Sequence, residues 1–208
     1  MDTNVMGTLN LLQACRERRG LQALLVVTTD KCYRNDGGPW ALRETDPLGG
    51  RDPYSASKAC AEVLTEAYAQ SYFSGNSTAV RSARAGNVIG GGDICTDRLI
   101  PDLFRSLDSR SPIHLRNPWA VRPWQHVLDA LCGYLVLTQD MVQAPQGLAH
   151  AYNFGPSEVQ DWPVQSVVEQ ILTHMGVSAE TTSQQAKAHE HEAPSLKLDS
   201  SMARRDLG

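Results

Sequence analysis

The sequence predicts an α/β fold: a partial doubly wound parallel sheet joined to a smaller mixed α/β lobe. Three observations point there. Short runs rich in β-formers alternate with stretches of helical periodicity, the pattern of parallel strands joined by helical crossovers. The apolar fraction is 41% and the charged fraction 20%, an ordinary globular balance. The 208 residues are enough to bury a substantial core.

The elements follow in order. Val5, Leu9 and Leu12 fall on one helical face, and Gly20 stops that helix after the charged run Arg16-Glu17-Arg18-Arg19. Residues 23–28 read as a strand buried on both faces. Residues 29–52 show little periodicity and carry breakers at Gly37-Gly38-Pro39, Pro47 and Gly49-Gly50. A loop that long in a compact domain is either functional or a wrong assignment of elements. Asp52-Pro53 opens a helix to about Phe73, with Ala59, Val63 and Ala67 on its apolar face. Residues 78–83 form the next strand, and a glycine-rich loop follows over 86–93. A helix is expected over 97–107, a strand at 113–115, a helix over 125–141, a strand at 151–154 and a helix over 163–175. The tail from Val177 is polar and weakly patterned.

Charge and cysteine usage narrow the function. Lys and Arg total 19 against 23 Asp and Glu, a formal charge of −4. A duplex-DNA binder usually carries a basic face, so no nucleic-acid partner is expected. Cys15, Cys32, Cys60, Cys95 and Cys132 are odd in number, widely spaced and never C-x-x-C. That pattern fits a reducing cytoplasm rather than a disulfide framework or zinc site. No secretory leader is read at Met1, and no run of about 18 apolar residues occurs, so no membrane partner is expected.

Ligands of doubly wound sheets sit at the carboxyl ends of the strands. Thr28-Thr29-Asp30-Lys31 ends one strand and Ala85-Gly86-Asn87 the next, so both should face one crevice. Tyr54 and Lys58, four apart on a helix, share a face. An ammonium there would favour phenolate and lower the tyrosine pKa, which suits proton removal from an alcohol as hydride leaves. With six tyrosines and four lysines in the chain, such a pair arises by chance in roughly one sequence in eight. A solvated helical pair is therefore the plain alternative. Thr-Asp-Lys is likewise ordinary turn composition, yet a carboxyl beside an ammonium suits an acid and a base at adjacent carbons. Asn87 and the backbone N–H groups of Gly90-Gly91-Gly92 can cradle a diphosphate, and Arg116 and Arg122 offer guanidinium forks. A flexible loop and solvated arginines are the alternatives. His189-Glu190-His191-Glu192 carries metal-ligand residue types, but in a polar tail it reads as a solvated segment, and no metal is expected. Trp40, Trp119, Trp124 and Trp162 read as packing residues.

Taken together, several segments carry a resemblance. They are Asn4-Val5-Met6-Gly7-Thr8, Val27-Thr28-Thr29-Asp30-Lys31-Cys32-Tyr33 and Asp52-Pro53-Tyr54-Ser55-Ala56-Ser57-Lys58. Arg84-Ala85-Gly86-Asn87-Val88-Ile89-Gly90-Gly91-Gly92-Asp93, Arg98-Leu99-Ile100-Pro101-Asp102, Arg116-Asn117-Pro118 with Arg122-Pro123-Trp124-Gln125-His126-Val127, and Tyr152-Asn153-Phe154-Gly155-Pro156 complete the set. In this order they resemble the extended short-chain dehydrogenase/reductases that modify nucleotide sugars, in particular the CDP-glucose 4,6-dehydratases. The resemblance runs from residue 4 to about 207.

It implies a Rossmann-like sheet, NAD as cofactor, CDP-glucose as substrate and a homo-oligomer when full length. It also implies roles. Tyr54 takes the C4 hydroxyl proton as hydride passes to NAD, Lys58 holds the nicotinamide ribose, and Thr29 hydrogen-bonds the C4 oxygen. Asp30 is the acid for the departing C6 hydroxyl and Lys31 its partner at C5. Asn4 and Thr28 join Tyr54 and Lys58 at the cofactor. Asn87, Arg98, Leu99, Ile100, Pro101, Arg116, Arg122 and His126 hold the substrate. Residues 1–86 then form the C-terminal part of the dinucleotide-binding domain. Residues 87–208 form mainly the substrate lobe, with returning sheet elements.

One departure stands out. Neither G-x-G-x-x-G nor G-x-x-G-x-x-G occurs, so the turn that seats pyrophosphate on a helix N-terminus is absent. The chain is accordingly expected to be the central and C-terminal share of a longer enzyme. Two alternatives stay open: a non-catalytic fragment or incomplete gene product, and a nucleotide-sugar 4-epimerase. Asp30-Lys31 counts against the epimerase, which needs no acid–base pair at C5 and C6.

Overall fold

The computed structural model describes residues 1–75, 77–157, 161–183 and 193–208. In chain order the elements are α1 (Gly7–Arg16), β1 (Ala23–Val27), α2 (Pro53–Tyr68), β2 (Ala79–Ala85), β3 (Asn87–Ile89), α3 (Leu99–Ser109), β4 (Ile113–Leu115), β5 (Trp124–His126), α4 (Val127–Gln143), β6 (Ala151–Phe154), α5 (Val164–Met175), β7 (Thr181–Ser183) and α6 (Ser201–Leu207). A π-helical turn, Asp2–Met6, leads into α1, and a second, Ala69–Phe73, closes α2.

The architecture is the expected α/β one. The central sheet is parallel, in the order β1-β2-β6. The period of two along a strand sorts its side chains between two faces. Ala79 and Ala83 of β2 join Leu137, Met141, Tyr152, Phe154 and Ala203 beneath α4 and α6. Val80 lies on the opposite face with Leu12, Ala69 and Phe73 from α1 and the end of α2. A separate apolar cluster, Leu103, Ile113, Leu115, Val168 and Leu172, joins α3, β4 and α5. There β4 pairs with β7 in parallel.

Several expectations are corrected. Residues 23–26 of β1 are half-buried and Val27 is 47% exposed, so this strand is not buried on both faces. Among the described residues it pairs with β2 alone and forms the sheet edge. In α2, Ala59 is buried but Val63 is 56% exposed and Ala67 is exposed. The inward face is instead polar, with Ser55, Ser57, Glu62 and Thr65. Residues 87–89, expected within a loop, pair as β3 with β5. That pairing needs Gly86, because a Cβ there would sit 2.5 Å from Pro123 Cγ. It also delays the helix expected from 125 to Val127, where His126 Nδ1 accepts a cap hydrogen bond from Leu128 N at 3.2 Å.

The tail is more patterned than its composition suggests. Leu196 and Leu198 are buried, and Leu198 bridges to Leu42. Trp40 and Trp119 are 73% and 72% exposed and do not serve as packing residues. Trp124 and Trp162 are half-buried, with Trp124 Nε1 donating to Trp162 O at 3.2 Å. All five cysteines are free thiols. Among the described residues no helix is long and apolar enough to cross a membrane. The segment His189-Glu190-His191-Glu192 lies outside the described residues.

Candidate active site

Parallel register sets the site. Val27 pairs with Ala83, so β1 and β2 end side by side. Beyond β1 the chain turns into a short 3-10 helix, Asp30–Cys32. Thr29 Oγ1 donates to Asp30 Oδ1 at 3.0 Å and accepts from Lys31 N at 3.3 Å. Asp30 is 2% exposed, and its Oδ2 has no hydrogen-bond partner. Burial pushes its carboxyl up to about 6, against the opposing pull of the Thr29 hydrogen bond, Lys31 and Arg122.

Tyr54 stands opposite, on the first turn of α2. The turn starts cleanly because Asp52 Oδ1 accepts from Tyr54 N at 2.9 Å and Ser55 N at 3.0 Å, with Pro53 in the first helical position. Half-burial raises the Tyr54 pKa, while a Thr29 hydrogen bond and the Arg98 charge oppose that rise. The lowering expected from Lys58 is not observed: the net shift is upward and Arg98 is the cation that acts. Lys58 itself is half-buried one turn further along. Thr29, Asp30 and Tyr54 are therefore one group, with Arg98 and Arg122 within electrostatic range. Lys31 adjoins them but faces solvent.

The remaining expected residues divide. Asn4 Nδ2 donates to Ser57 Oγ at 2.9 Å, which ties the opening turn to α2 beside Lys58. Thr28 turns its hydroxyl toward α2. It is buried and donates to Glu62 Oε1, because Thr28 has the same strand parity as Leu24 and faces α2. Arg98 pairs with Asp93 at 3.1 Å and Arg116 with Asp97 at 3.1 Å, both in exposed positions. Asn87 lies opposite Trp124, and His126 opposite Ile89, across the β3–β5 pair. Leu99, Ile100 and Pro101 form the first turn of α3, where Pro101 is buried. Among the described residues no hydrogen bond or ion pair links Asn87, Arg116, His126 or the α3 turn to Asp30 or Tyr54.

Sequence reading missed the polar layer behind the site. Glu62 Oε2 accepts from Arg84 Nη2 at 2.9 Å and Ser82 Oγ at 2.6 Å. Arg84 Nη1 donates to Tyr33 OH at 2.8 Å, and that hydroxyl donates to Asn153 Oδ1 at 2.7 Å. Asn153 is fully buried and also donates to Leu42 O at 3.0 Å and Asp199 O at 3.1 Å. One signal was available: an arginine inside a buried strand demands a counter-charge. Glu62, in the helical row 54-58-62, is placed to supply it.

Residues 1–155 match the NAD dependent epimerase/dehydratase family. The chain belongs to that family. It is 42% identical over 211 residues to the CDP-glucose 4,6-dehydratase of Salmonella typhimurium, an alignment covering 99% of this chain and 58% of that protein. The chain thus spans under two thirds of that relative's length. A crystal structure of a dTDP-glucose 4,6-dehydratase from Streptomyces venezuelae with NAD bound superposes with a TM-score of 0.81 at 25% identity. That match covers 100% of this chain and 60% of the other. A UDP-glucuronic acid 4-epimerase from Bacillus cereus shares the fold, with a TM-score of 0.81 at 19% identity over 99% of this chain and 62% of that one.

Proposed function

We propose that this chain carries the substrate-side machinery of a CDP-glucose 4,6-dehydratase that uses NAD and forms CDP-4-keto-6-deoxyglucose. The observation that carries this reading is Asp30. A buried carboxyl that keeps its proton up to about 6, beside Thr29 and Tyr54, suits a general acid. Epimerisation at C4 has no use for such an acid, whereas loss of the C6 hydroxyl requires one. The similarity to the Salmonella dehydratase supports the same choice.

In this mechanism Tyr54 accepts the C4 hydroxyl proton and Thr29 holds the C4 oxygen. The C4 ketone acidifies the C5 proton, which Lys31 would accept as the neutral amine and return to C5 once C6 is reduced. Asp30 protonates the C6 hydroxyl, which departs as water. Bound beside Tyr54 and Lys58, NAD would supply the hydride acceptor for C4 and the hydride donor for C6. Tyr54, Lys58 and Asn4 are grouped along α2 where a nicotinamide ribose would be held. No glycine-rich pyrophosphate turn occurs in the sequence, so the residues present fit the nicotinamide end alone. Arg98 and Arg122, already close to the reacting group, and Arg116 would meet the diphosphate.

The proposal includes a division at residue 86 between sheet and substrate lobe, a cytoplasmic setting and a homo-oligomer. Exposed apolar groups such as Leu11 and Leu135 are surfaces that assembly would cover.

The test is incubation with CDP-glucose and NAD, reading the 4-keto-6-deoxy product by its absorbance in alkali. Product from CDP-glucose but not dTDP-glucose is expected from a form that also carries the glycine-rich NAD turn, and Tyr54→Phe should abolish it there. A C4 epimer without loss of water would overturn the reading.

A further inference from the structure

We propose that Glu62 is a positioning residue: through the Thr28 hydroxyl it clamps the Thr29–Asp30 end of β1 to the helix that presents Tyr54 and Lys58. The catalytic part of this inference rests on the dehydratase reading.

Two periodicities meet at Glu62. Along α2, residues 54, 58 and 62 lie one turn apart in a single row. Along the sheet, Thr28 and the β2 residues Ser82 and Arg84 all reach the α2 face, where Glu62 receives a hydrogen bond from each. The carboxylate is only 3% exposed, and each of its oxygens is engaged: Oε1 by Thr28, Oε2 by Ser82 and Arg84. Thr28 immediately precedes Thr29, the residue that touches both Asp30 and Tyr54. Its backbone N–H is also fixed, donating to Ala83 O at 2.8 Å.

The clamp therefore sets the reach between two groups that come from different elements. If the Thr28 hydroxyl is lost, the strand end loosens, water reaches Asp30, and the burial that raises its titration weakens. Ser82 is the natural contrast. It donates to the same carboxylate but sits within β2, paired on both sides, by β1 through Val26 and by β6 through Ala151.

Glu62→Gln leaves Arg84 charged and buried and risks unfolding. The experiment therefore compares Thr28→Val, Thr28→Ser and Ser82→Ala. Each valine or alanine variant loses one hydrogen bond to Glu62, and both should lower the unfolding midpoint. The readout of positioning is the Asp30 titration, followed by carboxyl-carbon NMR on the chain itself. Thr28→Val should move that midpoint down by about one pH unit, towards the ordinary carboxylate range. Thr28→Ser and Ser82→Ala should leave it in place. An unmoved midpoint in Thr28→Val, or an equal movement in Ser82→Ala, would overturn the clamp.

In the dehydratase assay Thr28→Val should lower kcat on the order of ten-fold with KM unchanged, and Thr28→Ser should restore it. A normal kcat in Thr28→Val would remove the catalytic role. Absence of turnover in the unsubstituted form that carries the glycine-rich NAD turn would sink the dehydratase reading alone, and the titration would still decide the clamp.

Discussion

Asp30→Asn should make this protein more stable at neutral pH while removing its acid. The carboxyl is fully buried with one unpartnered oxygen, and burial moves its midpoint from the ordinary 3.8 to about 6. The folded state therefore binds the proton more tightly than the unfolded chain. Stability contributed by this group is present below about pH 4, falls as pH rises to about 6, and stays reduced above that. At about 1.4 kcal/mol per pH unit, the penalty at pH 7.5 is roughly 3 kcal/mol. Asparagine carries no charge and can still accept from Thr29, so most of that penalty should be recovered. For a chain this size, about 3 kcal/mol corresponds to a rise in Tm of roughly 6–12 °C. Urea unfolding of both proteins at pH 4, 5, 6 and 7.5 reads the effect. The gap should open between pH 4 and 6 and be absent at the acid end. An unchanged gap across that range, or a less stable variant at pH 7.5, would refute the reasoning.

Two further substitutions test the packing. Leu12→Ala empties a fully buried position between α1, the end of α2 and β2, and should cost about 2–5 kcal/mol, read as a lower urea midpoint at constant m. Val63→Ser should change stability by no more than about 0.5 kcal/mol, since the side chain points outward from α2. A loss near the Leu12→Ala value would place Val63 in a core.

What could be read in advance follows from how local each feature is. The strands at 113–115 and 151–154 emerge at the expected bounds because their apolar residues are clustered and bounded by turn formers. The inward face of α2 is not legible from its apolar residues, because that face is largely polar. The strand behind this helix carries Ser82 and Arg84, so its matching face is hydrophilic. The pairing of β3 with β5 was not legible because it joins a glycine-rich stretch to a polar one and depends on a glycine meeting a proline 37 positions away. At the site, Thr29, Asp30 and Tyr54 were legible because they stand within short motifs. The inward turn of Thr28 follows from strand parity with Leu24.

Asn153 has a consequence for how the molecule opens and closes. Its side chain meets Tyr33, Leu42 and Asp199, and its amide N–H meets Glu44, partners 120, 111, 46 and 109 residues away along the chain. Contacts of such separation are completed late in folding, after the intervening loops have closed. The strap is mutual: Leu42 N donates to Lys197 O, and Asp199 N donates to Leu42 O. The segment around Leu42 and the segment around Leu198 therefore form one latch. Their amides should exchange with solvent together, and a protease that cuts one frees the other from the hydrogen bonds around Asn153.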